Sequence, residues 1–136
     1  MDGHAAQIHK AMVAERYFRR KNDIILIETK DEEGNPLRSA DNRVASNFYG
    51  LLVNQKAAYL FSDPPIFDVG SKQNNAVVAD TLGDGFAKKC KSLCINASNA
   101  NIGWLHVWVD ETGKFQYGVV DSKQVIAVWS NDLEKR

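Results

Sequence analysis

Asn96–Val120 reads NASNANIGWLHVWVDETGKFQYGVV, and its period changes partway through. Upstream of Ala100, Val78, Leu82, Phe86, Cys90, Leu93 and Ala97 step by four, four, four, three and four. That spacing is one continuous face of a helix from about Asn75 to Ala100. Gly83 and Gly85 lower helix propensity within it, so a kink is expected there. After Gly103 the pattern becomes that of strands. WLHVWVD and FQYGVV flank ETGK, whose Gly113 suits a positive-φ turn position, so the two runs form a hairpin. VIAVWS comes after the polar DSKQ turn and would continue a meander.

Two further helices precede this unit. The first is expected from about Gly3 to Arg20, with Ile8, Met12, Glu15 and Phe18 near one face and Val13 and Tyr17 beside it. Asp2 is a candidate cap. Arg16, Arg19, Arg20 and Lys21 crowd its last turns, where cations oppose the negative end of the helix dipole; this reading is preferred to a phosphate site. The β-branched run NDIILIE reads as a strand or buried extended segment, and TKDEEGNPLRSADN as an exposed loop.

The second helix is expected to begin after Asp41 or Asn42. Val44, Phe48, Leu51, Leu52, Gln55 and Tyr59 follow the spacing of a helix face. Leu60 and Phe61 add apolar surface, so burial on more than one side is expected. Pro64 and Pro65 end the helix, and IFDV after them reads as a short strand. The sum is one α+β module over residues 1–136, with about three helices and a small antiparallel β-meander near the C-terminus.

Composition narrows the function. Hydrophobic residues make up 44% and charged residues 25%, ordinary for a globular chain, and formal net charge is zero. The balance is also local: 9 Lys/Arg against 8 Asp/Glu in residues 1–62, 4 against 4 in 63–100, and 4 against 5 in 101–136. No segment has the basic excess expected of a broad DNA-gripping face. No apolar run approaches the roughly 18–20 residues of a membrane span, and MDGHAAQIHKAMVAERYF is too polar for a signal peptide. A cytosolic setting with reduced Cys90 and Cys94 is expected.

Candidate chemistry is sparse. Cys90 and Cys94 share a helix face and could offer two thiolates to zinc, but both lie on or beside the apolar stripe, where core packing is the better account. Cys94 with His106 and an aspartate lacks any nucleophile turn. His4 and His9 are five apart, unlike helical metal pairs. ETGK lacks the earlier glycines of a phosphate loop. Trp104, Trp108 and Trp129 are better read as packing or interface than as a stacking platform. No cofactor, metal or catalytic residue is assigned, which favours a binding or structural role over an enzyme. Asn54-Gln55-Lys56 interrupts an otherwise apolar helix; there, polar groups can fix the register of an interface, or lie on a wet face with Lys56 reaching solvent.

The order of these pieces resembles a family. ERYFRRKNDII, then DNRVASNFYGLLVNQKAAYLFSDPP, is similar to the N-terminal region of tailed-phage portal proteins of the SPP-one-like type. The features fall on Arg16-Tyr17, Asn22-Asp23-Ile24, Asn42-Arg43-Val44, Asn47-Phe48, Val53-Asn54-Gln55-Lys56 and Tyr59-Leu60-Phe61, closed by Pro64-Pro65. NASNANIGWLHVWVDETGKFQYGVV matches the family's long helix, glycine, aromatic strand and hairpin. DSKQVIAVWS looks like a proline-free version of the family's next segment. Ser62 stands where the family usually has glycine.

The resemblance implies a structural protein of the virion, made in the bacterial host cytoplasm. It implies a dodecameric homo-oligomeric ring, through which DNA is packaged and ejected, that docks the terminase large subunit and head-completion proteins. It implies no cofactor and no membrane. Portal proteins run to several hundred residues, so this chain is expected to be an N-terminal, wing-region portion or a truncated prophage gene. Stem, tunnel loop and crown are absent from it, and DNA contacts are expected mainly from those parts. Asn47, Asn54, Gln55, Lys56 and Tyr59 are the residues expected at a subunit interface or setting its register. The alternatives are a stand-alone α+β protein-binding module and a small thiol or metal enzyme.

Overall fold

The computed structural model describes residues 2–27 and 43–127. Its helices are α1 (Asp2–Phe18), α2 (Phe48–Leu60), α3 (Lys72–Leu82) and α4 (Phe86–Ala100). Two strands, β1 (Trp104–Val109) and β2 (Phe115–Val120), form an antiparallel hairpin with Val107 opposite Tyr117. Short 3-10 turns lie at Asp23–Leu26 and Ser122–Gln124. The class is α+β, as expected, with four helices among the described residues in place of about three.

The additional helix arises where a kink was expected. Gly83, at φ 65°, ends α3 by donating its N–H to Ala79 O at 2.9 Å, and Phe86 N returns to Gly83 O at 3.2 Å. The left-handed backbone that only glycine adopts freely turns the chain, so α4 restarts at Phe86. The stripe Val78, Leu82, Phe86, Cys90, Leu93 and Ala97 stays half-buried along both helices. Helix α4 is the central element, packing against α1, α2, both strands and the second 3-10 turn.

α1 ends as a closed unit. Arg20 has φ 64°, and Lys21 N donates to Arg16 O at 2.8 Å while Arg20 N donates to Tyr17 O at 3.0 Å. The expected cap Asp2 is instead the first residue of the helix. Beyond it, the run expected as a strand forms a 3-10 turn, because Asp23 accepts from Arg16 and, at 2.6 Å, from the Tyr17 hydroxyl. A residue bound back to the preceding helix cannot extend away from it. Arg20 Nε then donates to Ala45 O and Asn22 Nδ2 to Ser46 O, both at 2.8 Å, and Arg43 Nη1 to Ile27 O at 2.6 Å. With the Ala45 and Ser46 carbonyls committed to side chains, residues 43–46 stay non-helical and α2 begins only after Asn47. The helix start expected at Asp41 or Asn42 is therefore corrected, as is the place of Val44 on the helix.

The IFDV run is not a strand. Asp68 accepts from Gly70 N at 3.1 Å, Val69 N donates to Asn75 Oδ1 at 2.9 Å, and Ser71 Oγ caps α3 through Asn74 N at 3.2 Å. The segment is a strap leading into α3, with the Phe67 ring 5.7 Å from Phe86. Val125–Ala127 joins no strand, and the rest of VIAVWS, with Trp129, lies outside the described residues, as does the expected loop at 29–42.

The interior is built from small groups. Ala11, Ala45, Val53, Ala57, Ala100 and Tyr117 are buried, with Ser122 donating to Ile102 O at 2.6 Å. Among the described residues no large side chain is fully buried. A core of this kind lets helices approach closely but removes little apolar surface from water.

Candidate interaction surface

α2 has two apolar faces of different size. Gly50, Val53 and Ala57 are three and four residues apart, so they share one side, and Ala57 is 0% and Val53 7% exposed. This small-residue face meets α4. Its contact is oriented by the Tyr49 hydroxyl, which donates to Asn99 Oδ1 at 3.0 Å. The face expected from the spacing points the other way and is not buried: Phe48 is 70%, Leu52 64% and Tyr59 86% exposed, with Leu51 and Leu60 exposed on the flanks. Expectation and structure differ because helical spacing gives most weight to the largest side chains. The signal for the inner face, small residues at 50, 53 and 57, was legible but outweighed.

The proposed interface residues separate into two groups. Asn47 is the α2 cap, its Oδ1 accepting from Gly50 N at 3.2 Å, and Asn54 Nδ2 donates to Gly50 O at 2.8 Å. Both are occupied within their own helix. Gln55, Lys56 and Tyr59 lie exposed among the large apolar residues. Gln55 and Lys56 thus mark the outward side of α2, while Asn54 belongs with its helix start.

The hairpin is also incompletely covered. Side chains alternate between its faces. Leu105, Val107 and Val109 share a face with Tyr117, which packs edge-on to Phe86 with ring centroids 5.5 Å apart and donates its hydroxyl to Leu82 O. Lys89 Nζ donates to Tyr117 O at 2.6 Å and lies 3.8 Å from the ring centroid. Yet Val107 and Val109 remain exposed. On the opposite face Trp108 stacks on His106 at 5.1 Å and runs over Gly118. β1 carries no proline or charge along its length, the usual guards of a free edge. A third apolar feature is a cleft of about 470 Å³ between the strap and α3/α4, lined by Pro64, Pro65, Phe67, Val78, Leu82 and Phe86.

The charged groups at the end of α1 are engaged inside the molecule. Arg16 pairs with Asp23 and Arg19 with Glu15; Glu15 also pairs with Lys123, joining α1 to the last 3-10 turn. The Lys123 hydrogen bond holds the Glu15 carboxyl below its usual range, and the same contact raises the Lys123 ammonium. The arginine cluster therefore acts as a clamp on the chain rather than as a dipole counter-charge alone. Cys90 and Cys94 are half-buried, and burial pushes the Cys90 thiol up, away from the low pKa of a reactive cysteine. Among the described residues no three His, Cys, Asp or Glu side chains gather as a metal site.

The family model described as "Phage portal protein, SPP1 Gp6-like" matches residues 1–136. A portal protein of Clostridium phage phiCD119 is 40% identical over 144 aligned positions, covering 96% of this chain and 32% of the relative. The portal protein of Bacillus phage SPP1 is 29% identical, covering 88% of this chain and 25% of its own length. The chain thus spans about a third and a quarter of the two relatives it matches.

Proposed function

The chain belongs to the SPP1 Gp6-like phage portal protein family, and from that membership we propose that it serves as a structural part of a portal, the ring that connects phage head and tail. The family match along all of residues 1–136 carries this reading. The large uncovered faces of α2 and the hairpin support it, because apolar surface of this extent is characteristic of a piece of an assembly. In this role the chain corresponds to the N-terminal, wing-region portion of a portal. It is a virion component, and its work is to hold shape and make contacts rather than to catalyse a reaction.

On the same reading, copies join in a dodecameric ring, and the ring docks the terminase large subunit and head-completion proteins. DNA contacts come mainly from parts of a portal outside this chain, which accords with its net charge of zero. Gln55, Lys56 and Tyr59 contribute to packing against neighbouring protein, whereas Asn47 and Asn54 act through the helix they stabilise. A second reading, a stand-alone protein-binding module, draws on the exposed Trp108 and its stacked His106.

Tagging the N-terminus of the protein in a phage that encodes it, and imaging purified particles, tests the proposal. Label at a single vertex of the head, in several copies, is the expected result. Particles that package DNA normally with no label anywhere would exclude a portal role and leave the binding module.

A further inference from the structure

Residues 62–82, the strap and α3, are bound to one another more firmly than to the rest of the module. Val69 N donates to Asn75 Oδ1 at 2.9 Å, Gly70 N to Asp68 Oδ1 at 3.1 Å and Asn74 N to Ser71 Oγ at 3.2 Å, so strap and helix form one unit. α3 has no buried residue and packs extensively against no other element. In place of a filled seam, the cleft of about 470 Å³ separates Val78 and Leu82 from the first turn of α4. We infer that this unit is a latched flap, which opens over the cleft as one cooperative body while α1, α2, α4 and the hairpin stay folded. The flap is a property of this chain's own packing and stands apart from the portal reading.

Two tethers hold the flap shut. The Tyr117 hydroxyl donates to Leu82 O, the one hydrogen bond among the described residues that joins residues 62–82 to a distant part of the chain. The Phe67 ring meets Phe86 with centroids 5.7 Å apart, and Phe67 is still 41% exposed. By contrast, α4 is held by α1, α2 and both strands. In water one hydrogen bond shifts an equilibrium by a net factor of only about two to ten. Two such tethers leave the open flap within thermal reach, whereas releasing α4 would undo the whole core.

The ends of the unit suit such a movement. Gly83 turns at φ 65°, and neither Gly83 nor Gly85 has any atom within 4 Å of the place a Cβ would take. An uncrowded glycine elbow can turn without displacing a neighbour. At the other end, exposed Ser62 and Asp63 join the strap to α2. Opening brings Val78, Leu82 and Phe86 to solvent from positions already half-exposed, and Leu82 O exchanges the Tyr117 hydroxyl for water. Its cost is therefore a modest apolar area and one replaced hydrogen bond.

Native-state amide hydrogen exchange, read residue by residue by NMR, tests the flap in the chain as it stands. The expected result is that α3 amides share one exchange free energy and exchange at least about a hundredfold faster than those in the middle of α4. Two variants then separate the flap from the core. Tyr117→Phe keeps the ring against Phe86 and removes only the latch hydroxyl, so it should speed the α3 amides together by about two- to tenfold. Asn47→Ala weakens the start of α2 equally in the closed and open forms. It should therefore speed α4 amides, which exchange by global unfolding, and leave α3 amides unchanged. Equal acceleration of α3 and α4 in Asn47→Ala would overturn the inference, because α3 would then open only when everything does. A response to Tyr117→Phe confined to Thr81 and Leu82, or no response, would also overturn it, the first in favour of simple fraying at the helix end. Should Tyr117→Phe not fold, Phe67→Ala removes the other tether from the exposed strap and gives the same readout.

Discussion

Single polar residues here act mainly by closing backbone turns, and two of them allow quantitative expectations. Asn47 starts α2 by accepting from Gly50 N, and a Cβ at Gly50 would come within 2.5 Å of Asn47 Oδ1. Cap and glycine therefore operate as a pair. Asn47→Ala should lower stability by about 1 kcal/mol in urea unfolding, the usual cost of a lost cap, and Gly50→Ala should remove the same cap by displacing it. Asp110 organises the hairpin turn, accepting from Thr112 Oγ1 at 2.6 Å, Gln116 Nε2 and Thr112 N at 2.9 Å, and Lys114 N at 3.0 Å. The Thr112 hydroxyl first, then Gln116 and the backbone donors, holds its carboxyl down to about 2 from an ordinary 3.8. Because the folded value is the lower one, the charged form stabilises the turn above the ordinary value. That contribution fades as pH falls from about 3.8 towards 2. NMR titration should place the Asp110 carboxyl near 2, with Thr112 and Lys114 amides losing protection over that window. In Asp110→Asn the window should vanish.

Among elements, α4 shows which features a linear sequence conveys. Its stripe was legible because six apolar residues keep helical spacing from Val78 to Ala97. The break inside the stripe was not, since Leu82 and Phe86 stay four apart whether the chain runs straight or turns at Gly83. Periodicity is blind to a turn that preserves the count. The hairpin was legible for the converse reason: alternation and a turn glycine at 113 are both local, and Gly113 indeed has φ 77°. The strand or buried extended segment expected at NDIILIE failed because Asp23 is fixed by Arg16 and Tyr17, contacts that β propensity does not register. Where α4 meets β1, Gly103 is decisive. A Cβ there would lie 2.9 Å from Leu93 Cδ1 and 3.0 Å from Leu93 O. The leucine methyl can shift but the carbonyl, within α4, cannot. Gly103→Ala should cost about 1–3 kcal/mol, the range for overpacking, and should loosen the hairpin first. Faster amide exchange in β1 than in α1 would be its signature, whereas uniform exchange would mean the close approach is not fixed.

For the molecule as a whole, the informative feature is which side of α2 counts as core. Sequence alone gave Phe48, Leu52 and Tyr59 one helix face and expected burial of α2 on more than one side, because large apolar groups bury the most surface. The rule holds only when all the packing partners are present. Here the module spends its small residues on its own packing and turns the large ones outward, as a part of something larger would. Gln55, Lys56 and Tyr59 stand on that outward side, while Asn47 and Asn54 serve the helix itself. Paired substitutions on opposite faces test this inversion. Leu52→Lys with Tyr59→Lys alters groups that touch mostly water, so the unfolding free energy should stay within about 0.5 kcal/mol of the parent. Binding of a hydrophobic dye and any self-association should drop sharply. Ala57→Leu forces an isobutyl group toward α4 at a site with 0% exposure, so it should cost about 1–3 kcal/mol with dye binding retained or raised. The two variants should therefore move stability and dye binding in opposite patterns. If the lysine pair destabilised the chain as much as Ala57→Leu, Phe48, Leu52 and Tyr59 would form the working core, and the outward face of α2 would have to be reassigned.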